Sequence, residues 1–226
     1  MFLEPRIDLP DSSSSPKARP MAKAQSRYPA ALIFGAPGAG KGTQGEILTR
    51  IPGFFHLSTG VIFRKLDPQM EEAQMIKEFC KKGELVPDEL TVSIFRNWLE
   101  GRRAADKFKP KEHLLLLDGI PRTVNQCQLI ERYIDVKLVL YFECVDLEVM
   151  VDRIRRRAVL EGRPDDASES VTRKRLETFE RETTPVLQYY GESLIKRIDS
   201  SGLPSEVLAG CLQHLIPVLK ANFVFE

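Results

Sequence analysis

The sequence predicts an α/β fold: a parallel sheet of five strands covered by helices on both faces. Three observations lead there. Short apolar runs at Ala30 to Phe34, Phe54 to Leu57, Leu114 to Asp118, Lys137 to Phe142 and Ile195 to Asp199 alternate with longer segments of helical periodicity. That alternation buries a parallel sheet between two helical layers. The run Leu114-Leu115-Leu116-Leu117 carries no polar residue until Asp118, as expected of a strand covered on both faces. The first apolar run also leads directly into Gly35-Ala36-Pro37-Gly38-Ala39-Gly40-Lys41-Gly42-Thr43-Gln44, a glycine-rich turn ahead of a helical pattern.

That turn reads as a phosphate cradle, which makes the sheet P-loop NTPase-like. Glycines let the backbone approach a polyanion so that successive N–H groups aim inward as a nest. The helix opening near Lys41 adds its positive dipole end, and Lys41 adds a mobile full charge. Gly38, Ala39, Gly40, Lys41, Gly42 and Thr43 are therefore the candidate nucleotide-phosphate contacts. The general pattern G-x-x-x-x-G-K-[ST] is shifted here. Gly42 holds the hydroxyl position and Thr43 comes one residue later.

Composition narrows the partners. The chain has 226 residues, with 33 basic residues balanced by 32 acidic ones, so net charge gives no support to a nucleic-acid or membrane-surface partner. Cys80, Cys127, Cys144 and Cys211 are scattered with no C-x-x-C pair, so neither a zinc site nor a disulfide framework is expected, and the natural compartment is the cytoplasm. No apolar run is long enough to cross a bilayer. Residues 1–28 combine prolines with Ser12-Ser13-Ser14-Ser15 and read as a disordered tail, with Met21 as an alternative start.

Along the remainder, residues 29–226, Gly45 to Arg50 completes the first helix and Pro52-Gly53 ends it. Ser58-Thr59-Gly60 ends the second strand, at the side where open α/β sheets bind ligands. Residues 62–82 are helical with a break at Asp67-Pro68, and residues 83–88 form a loop. A helix from about Glu89 to Gly101 carries Trp98 at core spacing. Asp118 suits either a Mg²⁺ site through bound water or a helix cap. Asp146 can cap a helix ending in Arg153-Ile154-Arg155-Arg156-Arg157, which alone fits a solvated basic face or a nucleic-acid patch. A polar loop Gly162-Arg163-Pro164-Asp165-Asp166, a long helix about Ser170 to Tyr190, the turn Ser200-Ser201-Gly202 and a helix Pro204 to Leu219 complete the chain.

The cradle, Leu57-Ser58-Thr59-Gly60 with Arg64, Gly83-Glu84-Leu85-Val86, Asp118-Gly119-Ile120-Pro121-Arg122-Thr123 with Gln126, and Gly162 to Asp166 stand in an order and spacing that resembles adenylate kinases. The resemblance runs from about Ala30 to the C-terminus. It implies two inserts on the sheet, a monophosphate-binding part at about 58–87 and a short lid at about 157–167, without the cysteine-bearing zinc lid of some relatives. It further implies reversible phosphoryl transfer from ATP to AMP giving two ADP, with Mg²⁺, in a monomer. Lys41, Arg122, Arg157, Arg163 and Arg175 would offset the charge of the transferred group, and Asp165 and Asp166 would orient the arginines. Arg153, Arg157 and Gly202 would hold the donor. Thr59, Arg64, Glu84, Leu85, Val86, Gly119, Arg122, Gln126, Arg163 and Arg175 would hold the acceptor, and Thr43 and Asp118 the metal, through water. Relatives that act on UMP and CMP tend to carry Ala at the place of Thr59 and Asn at that of Thr123, so AMP is the expected acceptor. The alternatives are a UMP/CMP kinase of the same family and a nucleotide sensor or assembly factor without turnover. Val61 stands where the family pattern has Asp, and Ile120 where it has an aromatic residue.

Overall fold

The computed structural model describes residues 27–144, 147–160 and 168–224. Its sheet has five parallel strands: β1 (Tyr28–Gly35), β2 (Phe54–Ser58), β3 (Leu114–Asp118), β4 (Ile134–Glu143) and β5 (Ile195–Asp199), in the order β2-β3-β1-β4-β5. The helices are α1 (Lys41–Leu48), α2 (Thr59–Lys65), α3 (Glu71–Lys82), α4 (Asp88–Ala104), α5 (Val124–Ile130), α6 (Leu147–Leu160), α7 (Glu169–Thr178), α8 (Pro185–Tyr190) and α9 (Pro204–Asn222).

Alternation along the strands sorts the core into two layers. Leu32, Phe34, Leu115 and Leu117 face one layer with Phe95, Leu99, Ile130 and Val186. Ala31, Ile33, Leu114 and Leu116 face the other with Leu48, Val207, Cys211 and Leu215. Successive side chains point to opposite faces, so an unbroken leucine run feeds both layers at once. All four leucines of β3 are fully buried. Trp98 packs on Phe55 with ring centroids 6.1 Å apart and lies under the Arg102 guanidinium.

Several boundaries differ from the sequence reading. Tyr28, grouped there with the tail, opens β1 and packs edge-on against Phe108 at 5.3 Å. Strand β4 starts at Ile134 rather than Lys137, because Ile134 and Val136 pair with Tyr28 and Ala30 ahead of a register shift. The helix after β2 begins at Thr59 with no intervening turn, and Asp88 opens α4 rather than closing a loop. The long helix expected about Ser170 to Tyr190 is interrupted by a π turn at Phe179–Thr183. Thr178 and Thr183, five residues apart, are both buried. A π turn stacks such positions on one face where an α-helix would splay them. Gly162, Arg163, Asp165, Asp166 and the cap expected at Asp146 lie outside the described residues. Among the described residues, no helix is long and apolar enough to cross a membrane.

Candidate active site

The carboxyl ends of β1, β2 and β3 open into a cavity of about 1560 Å³. Gly38 and Gly40 take φ near +86° and +85°, a conformation that side chains oppose. Gly40 caps α1, whose first N–H groups have no intrahelical partner and border the cavity. Lys41 folds back over the turn, its Nζ donating to the carbonyls of Gly35 at 2.7 Å and Ala36 at 2.9 Å. Asp118 ends β3 opposite Ile33 and Ser58, on the cavity wall.

Cations from separate elements converge on Lys41. Burial lowers its pKa to about 8; Asp118 opposes that shift, and the nearby charges of Arg122, Arg157 and Arg175 reinforce it. Arg122 is likewise held below its ordinary value, first by burial and then by Arg175. Such mutual repulsion persists only because the fold imposes it, and a polyanion entering the cavity would relieve it. Arg122 follows β3, Arg157 sits on α6 and Arg175 on α7, so residues distant in sequence surround one point.

The sequence matches the adenylate kinase family over residues 33–195. The chain belongs to the adenylate kinase family. The uridylate kinase of Saccharomyces cerevisiae is 36% identical over 162 residues, 70% of this chain and 76% of that protein. The UMP-CMP kinase of Rattus norvegicus is 34% identical over 189 residues, 80% and 94% of the two chains. The adenylate kinase of Parabacteroides distasonis is 34% identical over 183 residues, 78% and 92%. This protein is thus a phosphotransferase, a nucleoside monophosphate kinase. Members of its family generally use ATP and Mg²⁺.

The other described residues expected at the site fall into two groups around the cavity. On one side, Arg153 donates to the carbonyls of Ser200 at 2.7 Å and Ser201 at 3.3 Å, next to Gly202. Gln44 of α1 donates to Pro204 O at 2.9 Å, tying the phosphate turn to the start of α9. On the other side, Arg64, Glu84, Leu85, Val86, Gly119, Arg122 and Gln126 line the wall. Gly83 ends α3 at φ +69°, its carbonyl accepting from Thr178 Oγ1 at 3.2 Å. A Cβ there would lie 3.1 Å from Val171 O, so α3 sits closely on the helix that carries Arg175.

Thr59, expected on the acceptor side, is buried between the cavity-lining Ser58 and Gly60 and donates its hydroxyl to Gly119 O at 2.9 Å. Gly119 has φ +80°, and Arg122 Nε donates to the same carbonyl at 3.0 Å, so Thr59 shapes the turn that presents Arg122.

His56 escaped the sequence reading. It lies on β2 with Nε2 3.8 Å from Asp118 Oδ2, and burial lowers its pKa despite that carboxylate and Glu46. A Cβ on Gly45 would come within 2.3 Å of His56 Nε2, so the glycine on α1 makes room for the ring. The only sequence signal was a polar residue inside a short apolar strand, which by itself does not identify a neighbour.

Proposed function

We propose that this kinase transfers the terminal phosphoryl group of ATP to AMP, reversibly, giving two molecules of ADP. A phosphate oxygen of AMP forms the new bond to the γ-phosphorus as the bond from that phosphorus to the β,γ-bridging oxygen breaks, and ADP leaves. No side chain becomes covalently attached. The observation that carries the reading is the convergence of Lys41, Arg122, Arg157 and Arg175 on one large cavity over a glycine-lined turn. In-line transfer between two polyanions gathers negative charge, and preorganised cations offset it where it develops.

In this reading the backbone N–H groups around Gly38 to Thr43 cradle the donor phosphates, and Lys41 follows the transferred group. Arg153 and the Ser200–Gly202 turn border the donor base. Arg64 and Arg122 hold the acceptor phosphate. Residues 58–87 form the acceptor insert, and the short lid is assigned to about 157–167, of which residues 161–167 lie outside the described residues. The residues present fit Mg²⁺: Asp118 and Thr43 both border the cavity, a sparse oxygen set suited to an ion that keeps much of its water. The bound ion would supply a compact positive charge to the phosphate oxygens.

AMP as acceptor is supported by the Gln126 amide on the acceptor wall and by Thr123 beside it. UMP or CMP is the second reading, favoured by the relatives that bear those names. A coupled assay of ADP formation from ATP with AMP, UMP, CMP and GMP in turn distinguishes them. Turnover of AMP above the others is expected. Preference for UMP or CMP would replace the acceptor, and no turnover with any of the four would remove the kinase reading.

A further inference from the structure

Gln126 is 1% exposed, borders the acceptor side of the cavity, and has both ends of its amide committed. Its Oε1 accepts from the backbone N–H of Arg122 at 2.7 Å, and its Nε2 donates to Asp88 Oδ1 at 2.8 Å. The partners themselves decide which end is which, because a backbone N–H only donates and a carboxylate only accepts. Asp88 is held in turn. Its Oδ2 accepts from Thr123 Oγ1 and Asn125 Nδ2, each at 2.9 Å, and Thr123 Oγ1 accepts from Gln126 N at 3.0 Å. Asp88 opens α4 and Thr123 caps α5, so this one carboxylate joins the starts of two helices.

We propose that Asp88 locks the Gln126 amide in one orientation and so makes the acceptor pocket select bases bearing an exocyclic amine, adenine and cytosine, over bases bearing a carbonyl at that position, uracil and guanine. The inference rests on reading this side of the cavity as the acceptor site. With its two protein contacts made, the amide retains one lone pair on Oε1 and one N–H on Nε2. Adenine offers an amine hydrogen beside an unprotonated ring nitrogen, and cytosine does the same, so either can pair with that edge. Uracil and guanine present a carbonyl beside a ring N–H, the reverse order. To meet them the amide must turn over, which would set oxygen against the Asp88 carboxylate and nitrogen against the Arg122 N–H. Two mismatched buried contacts are heavily penalised. Uracil could otherwise pair only by sliding one ring position, which would draw its phosphate away from the arginines.

Asp88 is thus a positioning residue that touches no reacting atom. Comparing CMP with UMP isolates its effect, because at equal ring size the two differ only along that edge, an amine beside a bare ring nitrogen against a carbonyl beside a ring N–H. For the unaltered kinase, kcat/KM for CMP should exceed that for UMP by on the order of tenfold or more, and equilibrium binding of the two monophosphates should rank the same way. Asp88→Asn removes one of the two mismatches. It should shrink the CMP-to-UMP ratio about tenfold, mainly by raising KM for CMP and lowering KM for UMP, with kcat moving less than KM. Asn125→Ala removes a different donor from the same carboxylate and should leave the ratio in place. UMP equal to or better than CMP in the unaltered protein would overturn the proposal, as would an Asp88→Asn ratio that stays fixed while kcat falls for every acceptor. Should that variant fail to fold, the unaltered ranking still decides. A ranking of CMP over AMP over UMP would overturn the AMP reading and leave the lock standing, whereas AMP first with UMP at or above CMP would do the reverse.

Discussion

Raising the pH from 7 to 9.5 tests the cation cluster through Lys41. In the free protein its pKa is lowered from 10.5 to about 8. A phosphate chain over the glycine turn supplies the missing counter-charge and should return the bound-state value well above that. Nucleotide binding then requires the protonated ammonium. Below about pH 7 the lysine is almost fully protonated and affinity for ATP should be flat. At pH 9 about one molecule in ten is protonated, so affinity should be about tenfold weaker than at pH 7, and binding should take up nearly one proton. Calorimetry in two buffers of different ionisation enthalpy reads both quantities. Lys41→Arg carries a charge that does not titrate in this range, so its binding should be weaker in absolute terms but level with pH. A level profile in the unaltered protein, or an equal slope in Lys41→Arg, would refute the argument. Stability of the free protein follows the same linkage. Between about pH 8 and 10.5 the unfolded chain holds a proton that the folded chain releases, so stability rises with pH there. The ceiling is about 3 kcal/mol, and exposure of the cavity to water leaves the realised part below it.

Other outcomes follow from the same geometry. Arg175→Met should lower kcat for ATP and AMP by roughly 100-fold or more while KM moves less, since the arginine is placed to offset charge that develops during transfer; a pure KM effect in steady-state kinetics would contradict that placement. Gly45→Ala would push a Cβ to 2.3 Å from His56 Nε2 and should destabilise the fold by about 2 kcal/mol in urea unfolding. Most of that loss should be recovered when His56→Ala is added. Val61→Asp adds a carboxylate at the cavity wall and should lower the Mg²⁺ concentration giving half-maximal turnover severalfold. An unchanged Mg²⁺ titration would show that Val61 has no bearing on the metal.

Local features of the sequence were read correctly where one stretch of chain carries the whole physical reason. The glycine turn between β1 and α1 is such a case, since its backbone geometry depends on residues adjacent in sequence. The leucine run of β3 is another, because only burial on both faces tolerates it. The start of β1 at Tyr28 was missed, since its partners Ile134 and Phe108 lie far along the chain. Nothing local to Thr59 showed that its hydroxyl donates to Gly119, sixty positions away. Asp88 read as part of a loop, and nothing local announced that its carboxylate would hold three side chains of the segment around α5.

By itself, then, the sequence determined the alternation of strands and helices, the phosphate turn and the set of arginines, because propensity, periodicity and glycine's backbone freedom act within a few residues. The tertiary structure decided which of those arginines stand close enough to repel Lys41, which hydroxyl is consumed by the fold, and which way the Gln126 amide points. Those outcomes depend on pairings between strands and helix ends that are distant along the chain, and hydrogen-bond direction at a buried amide exists only once both partners are in place.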